Sequence, residues 1–333
     1  MFVGNLIEFI IAGVSSFAFT VILSRLIIPI LVAKKAGQPI REEGPAEHFA
    51  KAGTPTMGGI AFILAIAITL TGMSVWYAIS SKQNQLIPMA LTMALAVMNG
   101  IIGFVDDYKK LIKKHNEGLK AWQKFALQTL VAIAYVVLLK VIGHIDTAIH
   151  IPFTNIYVDL GIVYYIFAVF LIVGVVNSVN LTDGLDGLAS SITLIVSAFF
   201  GLVAFLGFGA FNSSLAMISA VLIGAMIGFL IFNHHPAKVF MGDTGSLFLG
   251  GAVTGAAFII DDPMIILIAG GVFIFETISV MLQVASFKTT GKRIFKCSPI
   301  HHHFEKCGWK EVKVVTVFSI VTVLLCVVAW FGV

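Results

Sequence analysis

The stretch Asn233-His-His-Pro-Ala-Lys-Val-Phe-Met-Gly-Asp-Thr-Gly-Ser246 is a short polar island between two apolar runs, each long enough to cross a bilayer. Pro236 stops the first run, and Thr244 and Ser246 suit the start of the next helix. Asp243 stands alone inside Gly-Asp-Thr-Gly. Other polar islands supply Asp106-Asp107, Asp183 with Asp186, and His301-His302-His303. Placed on one face of a membrane, these groups would make a single metal-dependent phosphoryl-transfer site.

Composition fixes the class. The 333 residues are 59% hydrophobic and only 11% charged, whereas a soluble domain carries about a quarter charged residues. An all-α integral membrane protein is expected, because barrel-type alternation is absent. Cys297, Cys307 and Cys326 do not make a disulfide framework. No cleaved signal is expected, since no basic segment precedes the first apolar run and no A-x-A site follows it.

Hydropathy predicts about ten spans: 5–32, 56–78, 86–105, 122–142, 159–179, 188–208, 214–232, 245–261, 263–285 and 314–333. Loops after odd-numbered spans hold Lys34, Lys35, Arg41, Lys51, Lys109, Lys110, Lys113, Lys114, Lys120 and Lys238. The long last loop adds Lys288, Lys292, Arg293, Lys296, Lys306, Lys310 and Lys313, while even loops hold essentially Lys82. The positive-inside rule therefore predicts cytoplasmic odd loops and both termini outside. Cys297 and Cys307 then face a reducing compartment. In the even loop at 143–158, Pro152 and the alternation of Ile149, Ile151 and Phe153 point to a small hairpin. With no internal repeat and no linker, residues 1–333 read as one polytopic domain.

The acids sort to the same side as the lysines. Asp106 and Asp107 are neighbours, so on a helix they point about a quarter turn apart and can take different tasks. The plainer reading is a charge pair neutralised by its own lysines. Asn177, Asn180, Asp183 and Asp186 step by three along one helical side, with no lysine or arginine among them. Such a row suits hydrogen bonding to a sugar or base; capping residues before a span are the alternative. At Gly242-Asp243-Thr244-Gly245, glycines and a helix start would favour phosphate, and the acid requires a cation between. Mg²⁺ takes carboxylate and phosphate oxygens together, although a simple capping turn fits these residues equally. Three consecutive histidines spread over about 200° of a helix, so one faces a site while the others pack. The flanking cysteines match no zinc spacing. Glu276, inside the ninth span, must be paired, protonated or facing water.

Together the motifs resemble those of the polyprenyl-phosphate N-acetylhexosamine-1-phosphate transferases. The resemblance runs through Arg41-Glu-Glu-Gly-Pro, His48, Lys51-Ala-Gly-Thr-Pro-Thr-Met-Gly-Gly, Gly103-Phe-Val-Asp-Asp-Tyr, Asn177-Ser-Val-Asn-Leu-Thr-Asp-Gly-Leu-Asp-Gly-Leu, the 233–246 island and Ser298-Pro-Ile-His-His-His-Phe-Glu. The last motif favours the phospho-muramoyl-pentapeptide branch. The resemblance implies transfer of phospho-MurNAc-pentapeptide from UDP-MurNAc-pentapeptide to undecaprenyl phosphate. By the same resemblance, UMP would leave and lipid I would form in peptidoglycan synthesis, at the bacterial inner membrane.

It also implies roles. Asp243 resembles the Mg²⁺ ligand, Asp106 the base that deprotonates the lipid phosphate, and Asp107 a support for either. His301 and Lys124 would position phosphates. Lys51, Asn177, Asn180, Asp183, Gly184, Asp186, Asn233, Phe240, Gln283, His302 and His303 would line the nucleotide and sugar pocket, with Phe240 stacking on uracil. Nucleic acid is not an expected partner, and long apolar spans permit a homodimer. Two other readings compete: a sibling transferase using UDP-GlcNAc, and a cation-coupled transporter. The transporter expects mid-span acids and polar groups on both faces, whereas here they are one-sided.

Overall fold

The computed structural model describes residues 2–34, 53–80, 86–113, 118–207 and 211–333. Lys51, Lys35, Arg41, His48, Lys82 and Lys114 lie outside the described residues. Twelve helices appear among those described, with one two-stranded sheet. The long ones are α1 (Phe2–Ala33), α2 (Gly59–Ile79), α3 (Leu86–Lys113), α4 (Ala121–Val141), α5 (Val163–Thr182), α6 (Leu188–Leu206), α7 (Ser213–Asn233) and α8 (Gly242–Ile259). They are followed by short α9 (Ile265–Ala269), α10 (Gly271–Thr290), short α11 (Ile300–Lys306) and α12 (Glu311–Trp330).

Nine of these helices are long and apolar enough to cross a membrane, among the described residues. The expected eighth span, 245–261, is α8, and it falls outside that set for a physical reason. At 18 residues it is about 27 Å long, enough to cross. It also carries Gly245, Gly250, Gly251 and Gly255 besides Asp243, Thr244 and Ser246. Every residue of α8 except Asp243 is buried, so this helix meets protein rather than lipid. Its glycines let neighbouring backbones come close: a Cβ at Gly250 would sit 2.6 Å from Val176 Cα of α5, and one at Gly251 would sit 2.9 Å from Ala96 Cα of α3. α8 is the central post of the bundle.

The expected ninth span, 263–285, is broken. α9 ends at Gly270, and α10 then runs on to Thr290. Ser178 Oγ of α5 and Thr277 Oγ1 of α10 are 2.7 Å apart. Glu276 therefore lies near the level of the α5 C-terminus rather than deep in mid-span. The hairpin expected at 143–158 forms as β1 (Ala148–His150) and β2 (Tyr157–Asp159), antiparallel, with Ile149 opposite Val158. It is pinned to the far end of α8 by His150 Nδ1, 3.0 Å from Asp262 Oδ2.

Candidate active site

The site begins where α3 meets the start of α8. Gly103 of α3 lies so close that a Cβ there would run into the Asp243 carbonyl. Gly242 turns the chain with a φ of 71°, a left-handed value suited to glycine. The opening of α8 leaves amide groups without helical partners, and Asp107 supplies acceptors from the neighbouring helix. Asp107 Oδ1 accepts from the Asp243 N–H at 3.2 Å; Oδ2 accepts from the Thr244 N–H at 2.9 Å and the Thr244 hydroxyl at 2.6 Å. Asp107 thus caps α8 from α3, and the capped helix start carries Asp243. Asp107→Ala is expected to cost about 1–2 kcal/mol, the scale of a lost cap, read as a lower thermal midpoint with at least tenfold slower turnover. Unchanged stability would remove the capping role.

Asp106, a quarter turn away, faces a different set. Lys110 Nζ lies 2.6 Å from Asp106 Oδ2 and 2.9 Å from Asp243 Oδ2. The Leu119 N–H donates to Asp106 Oδ1 at 2.6 Å. Lys124 Nζ reaches Asp243 Oδ2 at 3.1 Å and Asn180 Oδ1 at 3.2 Å. Asn180 Nδ2 in turn donates to Asp243 Oδ1 and Ser246 Oγ, both at 2.8 Å. Four helices therefore meet at Asp243 or its neighbours, α3, α4, α5 and α8, and the segment before α2 brings Thr56 beside Gly242. One carboxylate oxygen from each of Asp106, Asp107 and Asp243 lies within 4.8 Å of the others. Such a cluster survives burial only with cations among it, and Lys110 and Lys124 supply two. Lys110 was not among the site residues expected from sequence. Its i,i+4 spacing from Asp106 was the available signal.

The remaining candidates fall into an inner and an outer group. Asp183 caps α5, and burial, then the charges of Asp243, Asp107 and Asp186, hold its carboxyl well above the usual carboxylate range. Gly184 packs on His301, since a Cβ there would run into Nε2 of that ring. His301 is fully buried and its Nδ1 lies 3.0 Å from Glu276 Oε2. The other two histidines turn to local tasks. His302 Nδ1 is 2.6 Å from Glu305 Oε2, and His303 Nδ1 accepts the Lys296 N–H at 3.1 Å. Phe240 is half-buried, with its backbone held by Pro55 and Gly58.

Four others hold the walls. Asn177 forms a reciprocal amide pair with Gln128 between α5 and α4. Asn233 accepts from the Ser190 hydroxyl at 2.8 Å and donates to the Val239 carbonyl at 3.0 Å, fixing the island that follows α7. Gln283 accepts from the Ile294 and Phe295 N–H groups and donates to the Phe295 carbonyl, so it clasps the loop after α10. Asp186 accepts from Ala237 N–H at 3.0 Å and lies 3.1 Å from His235 Nδ1, which is also 3.1 Å from Glu311 Oε2. This second acid–histidine group joins the 183–187 turn, the island and the start of α12.

Comparison with known proteins bears on this arrangement. Residues 87–261 match the model of glycosyl transferase family 4, and residues 51–63 match a phospho-N-acetylmuramoyl-pentapeptide-transferase signature. A protein named phospho-N-acetylmuramoyl-pentapeptide-transferase from Clostridium botulinum (strain Alaska E43 / Type E3) is 47% identical over 95% of this chain and 94% of its own length. Proteins of the same name from Staphylococcus carnosus (45%, 97% of this chain and 99% of its own) and Bacillus velezensis (46%, 94% of each) are similar throughout. The chain belongs to the phospho-N-acetylmuramoyl-pentapeptide transferase family. It is a membrane-embedded glycosyl-1-phosphate transferase of cell-wall synthesis. In this transferase the family match runs from α3 to the turn after α8, the segment that carries Asp106, Asp107, Lys110, Lys124, Asn180 and Asp243. His301 and Glu276 lie beyond that match but within the part shared with the full-length relatives.

Proposed function

We propose that the chain transfers phospho-MurNAc-pentapeptide from UDP-MurNAc-pentapeptide to undecaprenyl phosphate, releasing UMP and leaving lipid I. The reading places it in the bacterial cytoplasmic membrane, with both termini outside and the acidic cluster at the cytoplasmic face, an orientation supported by the one-sided lysine distribution. The observation that carries it is Asp243, held between Lys110 and Lys124 at the capped start of a helix enclosed by protein. A long isoprenoid stays in the bilayer at about 0.8 kcal/mol per buried methylene, so a membrane-embedded site is what such an acceptor needs.

In the reaction, an oxygen of the lipid phosphate attacks the sugar-bound phosphorus of the donor. The bond from that phosphorus to the bridging oxygen breaks, and UMP leaves with the electron pair. Asp106 takes the proton of the lipid phosphate, and its Leu119 and Lys110 contacts keep its carboxylate aimed. Lys110, Lys124 and Asn180 gather the phosphate charges around Asp243, positioning that accounts for most of the catalysis in phosphoryl transfer. His301 joins Lys124 in holding the phosphates of the donor, Asp183 lines the nucleotide and sugar pocket, and Phe240 stacks on the uracil. The donor set suits Mg²⁺: carboxylate oxygens from three aspartates within 4.8 Å, hard ligands of the kind it takes with substrate phosphates. Asp243 would hold the ion with Asp106 nearby, and the ion would neutralise charge on the diphosphate.

Phe240→Ala is expected to raise the KM for the donor about tenfold with little change in kcat, the scale of one lost stacking contact. An unchanged KM would place uracil elsewhere. The overall reading is tested with purified protein, undecaprenyl phosphate and either sugar donor. Lipid-linked product should form from UDP-MurNAc-pentapeptide when Mg²⁺ is present. Product from UDP-GlcNAc alone would assign the chain to the sibling activity, and ion flux without lipid-linked product would make it a transporter.

A further inference from the structure

Glu276 is a fully buried carboxylate in α10, and the reaction above gives it no part. A charge within a membrane helix is kept only with a partner or a wet cavity. Its partner is His301. Glu276 Oε2 lies 3.0 Å from Nδ1, and both side chains are at most 1% exposed. Among the described residues neither carboxylate oxygen and neither imidazole nitrogen has an aligned hydrogen bond, so the 3.0 Å approach of Glu276 to His301 is a close polar contact between two otherwise unsatisfied groups. The ring of His302 packs against His301, with centroids 4.1 Å apart, but its own Nδ1 is turned to Glu305. The other edge of the His301 ring, Nε2, abuts Gly184, next to Asp183 at the edge of the acidic cluster. The Ser178–Thr277 contact sets Glu276 at this same level of the bundle.

An imidazole has two distinct nitrogens, and the hydrogen bond made by one decides which face and tautomer the other presents. We infer that Glu276 is a positioning residue of the transfer reaction, holding Nδ1 of His301 so that Nε2 is delivered to the Asp183–Gly184 turn. It acts through His301 and touches no substrate. The inference rests on the proposed placement of His301 at the donor phosphates.

The test is a double-mutant cycle on the full chain with Glu276→Gln, His301→Asn and the pair. Glu276→Gln should lower kcat by about 10- to 100-fold, the range for groups that orient a functional histidine, with the donor KM and the thermal midpoint nearly unchanged. Adding it to His301→Asn should change the rate by less than about twofold, because linked residues are not additive. Glu276→Asp should restore part of the loss. A fully active Glu276→Gln beside an inactive His301→Asn overturns the inference and leaves the proposed function standing. A fully active His301→Asn overturns both the placement of His301 and the inference. A loss in Glu276→Gln that multiplies with that of His301→Asn also overturns it. Where Glu276→Gln fails to fold, the ¹⁵N-histidine spectrum of the unmutated protein, minus that of His301→Asn, decides. It should show a proton on Nδ1 of His301, and a bare Nδ1 overturns the inference.

Discussion

Asp243→Asn is expected to lower the transfer rate by at least ~10³-fold, the upper range for removing one preorganised charged or polar group from a transition-state site. The side chain meets three polar partners at once: Lys110 at 2.9 Å, Lys124 at 3.1 Å and Asn180 at 2.8 Å. Asparagine preserves the shape and can still accept from one lysine. It removes the charge that balances the two ammonium groups and that would hold a divalent ion. The fold should persist, because the cap of α8 comes from Asp107 and not from Asp243. The check is a rate assay beside a melting curve. Loss of rate with an unchanged midpoint is the expected pair, and a variant of full activity would take Asp243 out of the reaction.

Gly103→Ala should be nearly as damaging, although it adds one methyl group and no charge. Its Cβ would run into the Asp243 carbonyl and lie 2.6 Å from the Thr244 nitrogen, both of them backbone atoms that cannot swing aside. α3 and α8 must then separate. Overpacking of this kind costs about 1–3 kcal/mol, and here it also pulls Asp107 off the amides it caps. We expect a lower thermal midpoint with at least ~10²-fold slower turnover, since small misplacements at a transfer site are costly in rate. Alanine at Gly72, where nothing lies within 4 Å, is the control and should leave both unchanged. Equal behaviour of the two variants would mean that the close contact of α3 and α8 does not set the site.

Much of this arrangement was legible in the sequence, and what escaped has physical causes. The helices followed from apolar runs, and the one-sided lysines placed the polar islands together. Adjacency of Asp106 and Asp107 implied that they point in different directions, and they do meet different neighbours, but which neighbours depends on which helix each faces. The capping of α8 by Asp107 joins residues 137 positions apart and has no local signature. α8 looked like one more membrane span because composition cannot say whether an apolar helix meets lipid or protein. The break at Gly270 was hidden by apolar residues on both sides. Gln283 spends its side chain on the backbone of Ile294 and Phe295, partners that no residue pattern encodes. The three histidines behaved as helical geometry requires, with only His301 wholly buried. Its partner Glu276 was visible as an unexplained acid, though the pairing itself needed the fold.

The most direct test of the central claim counts divalent ions. Mn²⁺ would stand in for Mg²⁺, and electron paramagnetic resonance would report how much is bound to the purified protein with UMP. One ion per chain in the unmodified protein, lost in Asp243→Asn and weakened in Asp106→Asn, is the predicted result. Full binding by Asp243→Asn would contradict the account, because the ion would then sit away from the start of α8.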